Sequence, residues 1–146
     1  MGTVNPGALV ETLSTDGTSV SKYSYDINHV YPPSSHDKGF WCQECWSIWT
    51  LGEEVMVSCG VAMLEGGDQN CDDGVWRSLI VTYNSSDPKT AAYSLFHPNP
   101  DENFSVEYAS YGANGEIICA IDADNGGSIV RIDNSKETTQ KVSELI

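Results

Sequence analysis

Five cysteines, at positions 42, 45, 59, 71 and 119, pose the first chemical question of this 146-residue chain. An odd number leaves at least one thiol free or paired between chains. Cys42 and Cys45 form a Cys-x-x-Cys spacing, open to zinc, to dithiol redox chemistry or to a disulfide end. Zinc asks for a second such pair or two spaced histidines. Here Cys59 and Cys71 stand apart, and His29, His36 and His97 follow no His-x₃₋₅-His spacing. A redox dithiol belongs behind a strand at a helix start, whereas this one sits among Trp41, Trp46 and Trp49 in a strand-like run. Structural thiols or disulfides are the expectation, with their pairing open.

Carboxylates supply the next candidates. Asp68-x-Asn70-x-Asp72, followed by Asp73, alternates carboxylate and amide oxygens in a glycine-containing loop, a pattern that wraps a hard cation such as calcium. Asp68, Asn70, Asp72 and Asp73 are the candidate metal ligands, with a solvated acidic loop as the plainer alternative. The run from Asp122 to Asp133 also matches several places of an EF-hand loop. It lacks the entering helix and a bidentate Glu at the twelfth place, so it reads as a hairpin that imitates the motif.

The segment Phe40-Trp41-Cys42-Gln43-Glu44-Cys45-Trp46-Ser47-Ile48-Trp49 holds three of the four tryptophans. As one uninterrupted strand it places Trp41, Gln43, Cys45 and Trp49 on one face and Trp46 with Ile48 on the other. A sugar ring pairs an apolar C–H face with hydroxyls, so a flat indole beside carboxylate and amide acceptors suits it. Trp41, Gln43, Glu44 and Trp49 form the candidate ligand-binding set. The plainer reading is that large aromatics fill a core; a contact with another protein is the third. Nucleophile and phosphate signatures are absent: there is no Gly-x-Ser-x-Gly, no P-loop and no Gly-x-Gly-x-x-Gly.

These residues must be positioned by strands, because the apolar period is two almost everywhere. Candidate strands are 8–13, 20–27, 42–51, 55–64, 75–84, 91–97, 104–111, 116–123 and 128–133, separated by turn clusters such as Thr15-Asp16-Gly17 and Ser85-Ser86-Asp87-Pro88. Asn134-Ser135-Lys136-Glu137 resembles a capping box, so the tail is expected as a short helix or a last strand. About nine short strands predict an all-β single domain over 1–146, an antiparallel sandwich (jelly-roll or Ig-like) or a barrel.

Asn114-Gly115 is the sharpest local signal, since a type I′ turn needs positive φ at both positions. With that loop, Ala113 pairs with Glu116 and paired numbers sum to 229, setting Val106, Tyr108, Ser110 and Gly112 against Ala123, Ile121, Cys119 and Ile117. The opposite face then sets Glu107 across from Asp122 and Ser105 across from Asp124, with Arg131 opposite or diagonal to Asp122. A solvated charge ladder, a calcium site at Asp122 and Asp124, and a catalytic carboxylate pair are the three readings of that face.

Seven basic against 21 acidic residues give a net charge of −14. That excludes ordinary nucleic-acid binding and disfavours anionic lipid, because no positive surface is available for phosphates. No stretch approaches the length of a membrane span, so insertion is not expected. The start, Met1 to Gly7, lacks a basic region followed by an apolar core, which fits a cytoplasmic protein or a mature secreted domain. Cysteine and tryptophan content with few lysines points to the secreted reading, as do the sequons at Asn84 and Asn103. The expected function is a secreted, non-enzymatic β-domain that binds a carbohydrate with calcium assisting. The alternatives are a self-assembling extracellular protein, a homo-oligomer using exposed aromatics and strand edges against another subunit, and a small glycoside-active enzyme using Glu107 and Asp122.

Overall fold

A computed structural model describes residues 7–30, 40–63, 75–96, 102–113, 116–124, 126–132 and 142–144. The described chain is all-β and antiparallel, and its sheets do not close into a barrel. Strands β1 (Gly7–Leu13) and β2 (Ser19–Asp26) form a two-stranded hairpin. One helical turn, α1 (Ile27–Val30), follows, taking in Ile27, the last residue of the expected strand 20–27. The Asp26 carboxylate accepts the Asn28 N–H at 2.9 Å and caps this turn. β3 (Phe40–Leu51), β4 (Glu54–Met63), β5 (Val75–Asn84) and β6 (Asp87–Phe96) make a four-stranded meander in chain order. β7 (Phe104–Tyr111), β8 (Ile117–Ala123), β9 (Ser128–Ile132) and β10 (Val142–Glu144) make a second one. The tail thus ends in a strand; the capping-box residues lie outside the described ones.

The β3–β6 sheet is the middle layer, which explains why Val55 to Ala62 is buried without a break. A strand covered on both faces reads as a continuous apolar run rather than an alternation. Val55, Val57, Cys59 and Val61 face one core with Leu79, Val81 and Tyr83, roofed by Val10, Tyr23 and Tyr25 of the hairpin. Tyr23 stacks on Tyr83 with ring centres 4.5 Å apart, and Tyr25 meets Tyr93 edge-on at 5.5 Å. Met56, Ile80 and Phe96 face the other core, with Val106, Ala109, Ile117, Cys119, Ile121, Val130 and Ile132. Asn28 ties the hairpin to the middle sheet: its Nδ2 donates to the Phe40 carbonyl at 2.8 Å and its Oδ1 accepts the Phe40 N–H at 2.7 Å.

β7 touches β3, β4 and β5 in turn. A row of small residues makes room for it. Ser78 Oγ donates to the Phe104 carbonyl at 2.7 Å, and Ser47 Oγ accepts the Ala109 N–H at 3.1 Å. These serines satisfy backbone groups on an edge strand that has no ladder partner on that side among the described residues. A Cβ on Gly60 would press into Ser105 Oγ and lie 3.0 Å from the Trp76 ring, so a larger residue here obliges the Ser105 side chain and the ring to shift.

The β7–β8 register corrects the expectation. Gly112 N–H bonds the Glu116 carbonyl at 2.7 Å, leaving three residues in the loop rather than two. Pairs near the turn, such as Ala109 with Cys119, sum to 228. Glu107 then forms a bulge, and pairs beyond it, such as Val106 with Ile121, sum to 227. Val106 and Ala109 therefore point inward, whereas Tyr108, expected inside, is 47% exposed. The turn residues Asn114 and Gly115 lie outside the described ones.

Candidate functional site

β3 is the outermost strand of the middle sheet and carries the aromatic segment. Its face assignment differs from a plain alternation because the register shifts between Cys45 and Ser47. One extra residue resets the parity of everything after it. Before the bulge, Gln43 opposes Val61 and Cys45 opposes Cys59, on the face toward the β1–β2 hairpin. After it, Trp49 opposes Met56, on the face toward the second meander. Glu44, opposite Gly60, shares that second face. The four-residue ligand set is thus divided: Glu44 and Trp49 lie on one face and Gln43 on the other. Trp41 belongs to the β3 backbone, and its side chain lies outside the described residues.

Gln43 is committed to the fold. Its Nε2 donates to Tyr25 Oη at 2.7 Å and lies 3.1 Å from Cys45 Sγ, while its Oε1 is buried without a hydrogen-bond partner among the described residues. The Cys45–Cys59 disulfide beside it cross-links β3 to β4, with Cα atoms 3.9 Å apart. Cys42 is also disulfide-bonded. Cys119 is free and fully buried, and burial pushes its thiol up to about 12. This chemistry agrees with structural disulfides.

The outer part of β3 carries the feature that sequence reasoning placed only in part. Trp46, Ile48, Trp49 and Leu51 are 54%, 55%, 37% and 63% exposed. Neither core cluster of the described residues includes them. Periodicity cannot reveal such a site, because an edge strand and a buried strand share the same apolar run. The available signal was indoles on both parities, more than one buried face accommodates.

Near this strand lies an acidic group. Burial raises the Glu107 carboxyl above its ordinary value, and the charges of Asp122 and Glu44 raise it further, against a hydrogen bond from Ser105. Glu107 is nevertheless not across from Asp122. The bulge leaves it unpaired, and Ser105 takes the place opposite Asp122. Arg131 pairs with Ile118, four positions from Asp122 and about 13 Å along the strand. The expected Glu–Asp–Arg ladder is therefore not formed.

Asp124 has a different task. Its Oδ2 accepts the Asn103 N–H at 2.9 Å and its Oδ1 accepts Asn103 Nδ2 at 2.7 Å, which lowers its carboxyl. Asn103 Oδ1 in turn accepts the Trp76 N–H at 2.7 Å. The sequon nitrogen at 103 is thus engaged in the fold. Asp68, Asn70, Asp72 and Asp73 lie outside the described residues. Among the described residues no three His, Cys, Asp or Glu side chains gather closely enough to hold a metal ion, and no helix is long and apolar enough to cross a membrane. No protein-family model, curated protein or solved structure matches the chain.

Proposed function

We propose that the chain is a non-catalytic extracellular binding domain that takes another polypeptide against the outer edge of β3. The carrying observation is the exposure of Trp46, Ile48, Trp49 and Leu51 within six residues of one edge strand. Apolar residues exposed singly are ordinary, but four within six residues, Ile48 on one face and Trp49 and Leu51 on the other, on a strand with no second ladder partner among the described residues, support a contact edge. A strand added there gains main-chain hydrogen bonds, while alternate side chains supply specificity. The Cys45–Cys59 disulfide supports an oxidising compartment, hence secretion.

Glycan binding is the second reading, favoured by the exposed indoles of Trp46 and Trp49 on the strand that bears Glu44. It proceeds without Gln43, whose amide is held by Tyr25. The Asp68–Asp73 loop remains the proposed calcium ligand set in that reading, and the glycoside-active pair has no geometric support beyond the field between Glu107 and Asp122.

Hydrogen exchange with tryptophan fluorescence separates the two readings. A docked polypeptide shields the amides of Ser47–Leu51 and blue-shifts the indoles. An oligosaccharide alters the fluorescence and leaves those amides exchanging as before. Absence of amide protection with every peptide tried, including strongly β-forming ones, rejects the docking reading.

A further inference from the structure

Resting on that docking reading, we infer that the segment taken up by β3 is basic: an extended stretch alternating apolar residues with Lys or Arg. Residues 40–63, the two strands at this edge, contain Glu44, Glu53 and Glu54 and no Lys, Arg or His. All three carboxylates are exposed, and they stand at the two ends of the apolar run Trp46–Leu51. Glu107 lies in the field of Glu44 and Asp122, and the expected neighbour Arg131 is paired with Ile118 instead. The edge is therefore apolar at its centre and negative at both ends. A partner of the opposite pattern satisfies both parts, steering the encounter by charge and holding it by burial.

A second copy fits less well. A copy of this edge would bring the same three carboxylates, Glu44 on β3 with Glu53 and Glu54 at its turn, toward those of the first. Like charges brought close repel. Each chain also brings a net charge of −14. Glu54 already accepts the Tyr111 hydroxyl and Glu53 that of Ser86, and a neutral polysaccharide adds only hydrogen bonds of the same kind, leaving the negative charge uncompensated.

The test titrates the full chain with three ten-residue peptides that share their apolar positions and carry Lys, Ser or Glu between them. Affinity is read by calorimetry and by indole fluorescence, at low salt and at about 0.5 M salt, where charges are screened within a few ångström. The Lys peptide is expected to bind at least about tenfold tighter than the Glu peptide at low salt, with the gap closing at high salt. Glu44→Lys, at an exposed position, should shrink that preference and leave the circular-dichroism spectrum unchanged. Equal binding of all three peptides overturns the basic partner while the docking reading stands. A dimer in sedimentation that Trp49→Lys dissolves, with no peptide bound, identifies a second copy and overturns it as well. No peptide bound by a monomer overturns the docking reading itself.

Discussion

Asn103 and Glu107 show how single polar side chains at the β7 crossing act in opposite senses. Asn103 joins the start of β7 to Trp76 and to Asp124 through three hydrogen bonds. Asn103→Ala removes the two side-chain bonds, keeps the backbone N–H bond to Asp124, and should lower unfolding free energy by about 1–2 kcal/mol through the stranded Trp76 N–H, as read by urea denaturation. Asp124, held low by Asn103, contributes stability that is present above its ordinary value of 3.8 and fades as pH falls through its lower folded value. Glu107 is shifted upward, so ionising it costs the folded state more than the unfolded one. Its contribution erodes stability as pH rises from its ordinary value of 4.5 through the folded value. Glu107→Gln should therefore stabilise the protein at pH 7 by about 0.5 kcal/mol after solvent screening, and by nothing near pH 3.

At the scale of elements, the crossing of β7 over β3–β5 is the contact most sensitive to volume. Gly60→Ala forces its new methyl into Ser105 and the Trp76 ring, and should cost about 1–3 kcal/mol in thermal or urea unfolding. Replacing Cys45 and Cys59 by serine opens a link between residues 14 apart, and should cost about 3 kcal/mol. The strands themselves were readable, β5 and β7 to the residue, because alternation and turn residues agreed there. Register was less so. Val-Glu-Tyr-Ala-Ser-Tyr offers a usable inner face on either parity, and the choice falls to Ala109, small enough to lie against Ser47. That decision is made by a strand distant in sequence. The bulge after Cys45 divides the ligand set for a similar reason: nothing in the run Cys42–Trp49 marks where the extra residue sits.

The whole molecule stacks a hairpin, a central sheet and a second sheet, with two cores between them. The layered β architecture was visible in the rhythm of the sequence. The separation of the hairpin was not, because an amphipathic strand looks the same whichever layer covers it. A net charge of −14 with few cations means self-repulsion across the entire surface, so added salt should raise the Tm, as calorimetry at rising ionic strength would show. Cys119, sealed between the central and second sheets, turns this architecture into a clock. With its thiol protonated and unreachable, an alkylating reagent registers only those moments when the layers part. The pace of labelling then counts the openings of the protein one molecule at a time.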